Sequence, residues 1–420
     1  MAPTRQDQRA CPGGVPREEL VTRSVADAEG LDAVFEDSLP AFGGSDLRRV
    51  WQLLDEAIGR GIPLSLSISG PVTLSGQHHT WLDPLLETGW FLMVSTTDAV
   101  CYHDGHRALD GSEERPFFRV DRHGDDGDLR DERTIRVTDV GFPEDTLLEQ
   151  DRFLRAVLRQ PEFQRRMSGP EFRYLLGQRF AAQEKKNGVP EGLLALCHRK
   201  AIPIFVGAPA DGSVFLNSVA LWCGERTGGR EHRFELDLHL EVVQSCAIHR
   251  HCVLDTEVGA LGTLVLGGGV PKNFNLQPEP ALSQILGIEV PGYLYDVQIT
   301  TAPISDGSLS SCPPAEAVTW GKVDKDVYRS TCVSLSADYS IVMPFVTKAL
   351  LEKRARLERW RERMGEDALF AKHPDARGYL RDRAGYRILD RLDELTEALF
   401  QVLRAQPPTD EQDYPLAPVP

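Results

Sequence analysis

The sequence predicts an α/β fold: a mostly parallel sheet with helices on both faces, and a helical extension at the C-terminal end. Three observations carry that reading. Short apolar runs alternate with helix-length amphipathic stretches from about residue 45 to residue 340, the pattern of repeated strand–helix units. Several runs end in small or hydroxyl residues, as strands do where an open parallel sheet receives ligands at its carboxyl edge. Beyond that point only helical periodicity remains.

The elements follow in order. Residues 1–34 read as an N-terminal arm, and its first twenty residues, with Pro3, Pro12, Gly13, Gly14 and Pro16, have a composition that resists fixed structure. Ser45 is the expected N-cap of a helix carrying Leu47, Val50, Leu54 and Ile58, closed by Gly59 and Gly61. Residues 62–69 alternate apolar and hydroxyl side chains and form a strand ending at Gly70. A short helix over 80–88 leads to a buried strand over 90–94, followed by Ser95-Thr96-Thr97-Asp98. Residues 111–133 are charged and turn-rich and read as an exposed loop. Helices are expected at 144–158, 169–183 and 189–200, and strands at 202–206, 234–238, 261–266, 294–301 and 333–335. A long helix over 342–364 is dense in arginine and lysine, balanced by Glu352, Glu358 and Glu362, and reads as a solvated face. Ile388, Leu392, Leu395 and Leu399 make an apolar stripe that must pack against this subunit or another, and a neighbouring subunit is the hypothesis. The boundaries that follow are an arm at 1–34, a catalytic unit at 35–365, a helical extension at 366–405 and a disordered tail at 406–420.

Composition narrows the function. Apolar residues at 41% and charged residues at 26% are ordinary for a globular protein. No apolar run reaches the ~18 residues of a membrane span, and the N-terminus lacks the apolar core of a signal peptide, so a cytoplasmic protein without a membrane partner is expected. A formal charge of −16 repels phosphate backbones and argues against nucleic acid. Eight cysteines without a CxxC pair, with apolar neighbours at Cys197, Cys223 and Cys332, suggest reduced and mostly buried thiols. Cys246, His249, His251 and Cys252 lie on one helical pattern and point in different directions, so no metal site is assigned. His78-His79 reads as a polar helix entry.

Three features carry chemistry. Gly267-Gly268-Gly269 directly follows an apolar strand, so backbone can approach a ligand and a helix start can offer N–H donors; a tight turn without a ligand is the alternative. Asp211-Gly-Ser213, Asp306-Gly307-Ser308 and Asp338 follow other strands, where a carboxylate can accept ribose hydroxyls or simply serve a turn. Lys322 follows Glu316 and Trp320. Desolvation lowers the pKa of a lysine and makes its amine a nucleophile able to form an imine, whereas the usual lysine is a surface residue. Trp320 offers a π face to a cationic amine and Glu316 a partner for an ammonium. His103, in His103-Asp104-Gly105-His106, is read on a loop after the 90–94 strand, on the cofactor side.

Together Gly267-Gly-Gly-Val-Pro-Lys-Asn273 and Glu316-Ala-Val-Thr-Trp-Gly-Lys322 resemble deoxyhypusine synthase, particularly its bacterial homologues, over about residues 35–350. The resemblance implies a Rossmann-like subunit in a homotetramer with active sites at subunit interfaces and NAD as cofactor. It implies that the aminobutyl group of spermidine passes through an imine on Lys322 to an acceptor amine. Glu316, Trp320, Asn273, Gly268, Gly307 and Ser308 fall at substrate positions. Ser69, Gly70, Thr97, Asp98, His103, Asp211, Thr301, Ala302 and Asp338 fall at or near cofactor positions. Asn273 replaces a histidine of the eukaryotic enzyme, and Leu216 and Leu309 replace two aspartates that hold polyamine ammoniums. The implied acceptor is a small diamine such as putrescine, giving homospermidine; a protein lysine or a non-catalytic NAD-binding role are the alternatives.

Overall fold

The computed structural model describes Leu20 and residues 22–109 and 117–406. Its centre is a six-stranded sheet, numbered here β1 (Leu64–Ile68), β2 (Phe91–Thr96), β3 (Ile204–Val206), β4 (Gly262–Leu266), β5 (Tyr295–Thr300) and β6 (Cys332–Ser336). The spatial order is β3-β2-β1-β4-β5-β6, and every neighbouring pair is parallel. That order is the Rossmann order, with its topological switch point between β1 and β4. Residues within β1, β2, β4 and β5 are buried throughout, as expected when helices cover both faces.

The two faces differ. Leu64, Leu66, Ile68, Leu264, Leu266, Val297 and Ile299 share one apolar core. Ser65, Ser67, Thr263, Asp296 and Gln298, at the alternating positions, are buried and polar on the other face. A helix over Gly269–Leu276 covers that polar face and supplies hydrogen-bonding groups. Asn275 Nδ2 donates to Thr263 Oγ1 at 2.9 Å, and Ser95 Oγ donates to Asn275 Oδ1 at 3.4 Å. Polar residues inside a sheet core are costly unless paired, so their presence marks this face for more than packing.

Several local expectations change. The first long helix runs Phe42–Gly59 from an Ala41 N-cap, and Ser45 Oγ instead donates to the Phe42 carbonyl within the first turn. His103 lies on a helix, Asp98–Ala108, rather than a loop. The charged segment expected as a loop holds a helix at Asp126–Asp131, and Thr134–Val137 pairs antiparallel with Val140–Pro143 beyond it. Residues Glu235–Leu236 pair with Arg166–Met167 outside the central sheet. Cys223 is exposed, unlike buried Cys197.

The C-terminal helices pack on their own chain. In the 26-residue helix Tyr339–Met364, Arg354 is only 4% exposed and donates to the carbonyls of Thr88 and Arg381. Lys353 pairs with Asp55 and Asp375, so this side of the helix is a buried clamp and not a solvated face. Ile388, Leu392, Leu395 and Leu399 enter a second core with Cys246, Ala247 and Cys252, on the helix Leu238–Arg250 and the turn after it. The apolar stripe therefore closes within the subunit. Most of the expected disordered arm and tail, residues 1–19, 21 and 407–420, lie outside the described residues.

Candidate active site

At the switch point the strand ends converge. Gly267 has φ +77°, a left-handed conformation that glycine adopts without strain. A Cβ on Gly267 or Gly268 would stand 2.8 or 2.7 Å from Ser69 Oγ, so only glycine permits this approach. The Gly268 N–H donates to Ser69 Oγ at 2.5 Å, and Tyr339 Oη donates to the Ser69 carbonyl at 2.7 Å. Gly70 has φ +87°. Thr301 and Ala302 follow β5, and Asp338 caps the helix that starts at Tyr339 by accepting from the Ser340 N–H at 2.8 Å. Ser69, Gly70, Gly267, Gly268, Thr301, Ala302 and Asp338 thus cluster at one carboxyl edge.

The helix Gly269–Leu276 starts at that glycine turn and carries Lys272 and Asn273 one turn later. Both line a cavity of about 320 Å³ with Gln277, Leu309, Cys312, Glu316, Trp320 and Lys322 among its walls. Four of the residues singled out in the sequence, Asn273, Glu316, Trp320 and Lys322, meet there. The Lys322 ammonium donates to Gln277 Oε1 at 3.1 Å and Asn273 Oδ1 at 3.4 Å. No ion pair holds it among the described residues. Burial lowers the Lys322 pKa, with nearby Lys272 adding to the effect and Cys312 and Glu279 opposing it. Gly321, with φ +76°, sets the turn that presents Lys322, and a Cβ there would meet Glu279 Oε2 at 2.6 Å. Trp320 is 64% exposed at the rim.

Some positions lie elsewhere. Asp98 is buried with its pKa pushed up to about 6 by burial, and its carboxylate accepts from the Val214 N–H at 2.8 Å, in the first turn of the helix Ser213–Arg226. Asp211 sits beside it, and Thr97 is the N-cap residue of the helix from Asp98. His103 Nδ1 bonds His106 Nε2 at 2.9 Å, one turn into that helix. Gly307 and Ser308 lie on an exposed loop where Ser308 Oγ donates to Asp306 at 2.6 Å, and neither lines the cavity. Of the two leucines, Leu309 lines the cavity and Leu216 is exposed on the helix Ser213–Arg226.

Sequence reasoning missed three groups. Lys272 is 1% exposed and donates to Gln298 Oε1 at 2.5 Å, the Leu309 carbonyl at 3.2 Å and the Cys312 carbonyl. Asp296 is fully buried, neither oxygen has a hydrogen bond, and burial pushes its pKa up to about 7 against the pull of Lys272. Glu279 is buried against Gly321, its pKa raised by burial. The available signals are a charged residue inside an apolar strand, at Asp296, and another between two prolines, at Glu279.

The deoxyhypusine synthase family model matches residues 34–350. A deoxyhypusine synthase-like protein of Cyanothece sp. is 36% identical over 80% of this chain and 83% of its own length. One of Nostoc punctiforme is 37% identical over 74% of this chain and 77% of its own. Another, of Thermosynechococcus vestitus, is 35% identical over 81% and 84%. No helix among the described residues is long and apolar enough to cross a membrane. With its glycine turn and its lysine cavity joined by one helix, the chain belongs to the deoxyhypusine synthase family.

Proposed function

We propose that the protein is an NAD-dependent aminobutyl transferase in which Lys322 is the nucleophile. The observation that carries this is the state of Lys322: a half-buried amine held by two amide oxygens and no carboxylate. Such an amine loses its proton more readily than a salt-bridged one and is free to attack. The reading of a dinucleotide site is supported by the place of the glycine turn, packed against Ser69 at the switch point where open parallel sheets of this order receive such ligands. Ser69, Gly70, Thr301, Ala302 and Asp338 would hold NAD there, with Asp211 and Asp98 at the neighbouring strand ends. NAD held there would supply the hydride acceptor for oxidation beside the secondary amine of spermidine and the hydride donor for reduction of the product imine. Lys322 then displaces 1,3-diaminopropane and holds the aminobutyl group as an imine until an acceptor amine replaces it. Glu316 pairs with a substrate ammonium and Trp320 shields the cationic group.

Leu309 in the wall favours a free diamine such as putrescine, with homospermidine as product, over a protein lysine. A cytoplasmic homotetramer with interface active sites is part of the same reading. Exposed Leu216, Val219 and Trp222 on one helix, with Leu238 and Val242 on another, supply an apolar surface for it. The test is to incubate the protein with NAD and spermidine, add borohydride, and seek an aminobutyl adduct on Lys322 by mass spectrometry. Absence of both adduct and released diaminopropane sinks the transferase. With the adduct formed, offering putrescine against a candidate protein acceptor separates the two acceptors.

A further inference from the structure

Away from this cavity, the connection from β1 to β2 contains a turn that packing alone does not explain. Residues His78–Leu82 form a π-helical turn, closed by the Asp83 N–H donating to the His78 carbonyl five residues back. In an α-helix two consecutive side chains diverge by about 100°. Here the His78 and His79 rings lie 3.8 Å apart between centroids. Single π turns of this kind occur frequently at functional sites.

The groups gathered by the turn are short of partners. His78 is 0% exposed, and its ring nitrogens have only loose contacts, with the Val72 backbone and the Asp104 carboxylate. The closest carboxylate is Asp104, whose Oδ1 stands 3.5 Å from His78 Nε2 but already accepts from the Leu193 N–H. Asp83 Oδ1 is buried and unpaired, while Oδ2 stands 2.9 Å from His79 Nδ1. Orphaned buried groups of this kind are rare in native proteins and call for a ligand. One donor atom from each of His78, His79 and Asp83 lies within 4.8 Å of the others.

We propose that His78, His79 and Asp83 bind a first-row divalent metal ion of the zinc type. Two imidazoles and a carboxylate are the donor set such ions take, and three protein ligands leave a coordination position open. The ion would take the place of the proton shared by His79 Nδ1 and Asp83 Oδ2 and give the buried His78 ring a strong partner. His79 also lines a polar cleft of about 660 Å³ with Ser75, Gln77, Arg107 and Asp139, which gives the ion a way in. Arg107 opposes a cation there, while Asp83 brings a negative charge as a ligand and the Asp104 carboxylate stands 3.5 Å from His78. Read in the sequence as a polar helix entry, the histidine pair is the core of the site. Trp81, on the same turn, meets Tyr339 edge-on at 6.2 Å, and Tyr339 holds Ser69, so the site is in packing contact with the switch point.

The test uses the full chain stripped with a chelator, dialysed against zinc chloride, desalted and assayed by elemental mass spectrometry. About one zinc per chain is expected, together with a rise in melting temperature. His79→Asn and Asp83→Asn, at the more accessible ligands, should each weaken zinc binding at least tenfold, with far-UV circular dichroism checking their folding. Cobalt(II) in place of zinc should give visible absorption bands that both variants lose. A wild-type chain that retains no zinc overturns the proposal. So does wild-type zinc affinity in either folded variant.

Discussion

Two lysines face one cavity and differ in what holds them. Lys272 is fully buried and its three protons are taken by Gln298, Leu309 and Cys312 oxygens. Lys322 is half-buried, with only two bonds, at 3.1 and 3.4 Å, to amide oxygens. Burial lowers the pKa of both. The difference lies in commitment. An amine that saturates three acceptors is a fixed part of the wall, while one held by two weak acceptors can leave them for a substrate. Desolvation alone does not identify a nucleophile; desolvation with unfinished hydrogen bonding does.

The comparison breaks most visibly if Lys322 is replaced. Lys322→Arg keeps the charge and removes the attacking amine, so turnover should fall by about three orders of magnitude or more, with no borohydride-trapped adduct and little change in melting temperature. Lys272→Met should do the opposite first, leaving buried oxygens unpaired at ~1–3 kcal/mol each and lowering the melting temperature by several degrees. Because Lys272 also depresses the Lys322 pKa, the alkaline rise of activity in that variant should move to higher pH.

A smaller effect concerns Asp296, whose carboxyl is raised by burial to about 7. A carboxyl raised in the folded state contributes stability that is fully present below its ordinary range and lost as pH rises through about 7. Melting temperature measured from pH 5 to pH 8.5 should therefore fall less in Asp296→Asn than in the parent; equal slopes would remove Asp296 from the account. The smallest expected change is in Glu279→Gln. Glu279 opposes the lowering of the Lys322 pKa, so its loss should shift the activity profile modestly to lower pH. A shift the other way would mean that Glu279 acts on substrate and not on Lys322.

Legibility in the sequence tracked locality. β1, β2 and β4, the glycine turn and Trp320-Gly321-Lys322 were readable because each is written in consecutive residues. Asp98 follows a strand, as its place after Ser95-Thr96-Thr97 indicates, but its carboxylate is taken by the Val214 N–H, 116 residues away. Glu279 meets Gly321 across the fold, and the Lys272 acceptors come from β5 and the loop after it, distances that no local pattern encodes. The helix of His103 was hidden because Asp98–Ala108 has mixed polarity and carries Gly105, which costs helix propensity. The direction in which Leu392 and Leu395 pack was open because an apolar stripe specifies burial without naming its partner.

The packing of Leu392–Ala405 on the helix Leu238–Arg250 has a consequence for biosynthesis. The second core draws on Leu92 and Met93 near one end of the chain and on Leu395 and Leu399 near the other. During synthesis the apolar side of Leu238–Arg250 would emerge long before its cover does. Until the last helix leaves the ribosome that side stays wet, so a stalled or truncated chain presents a sticky surface to chaperones and proteases.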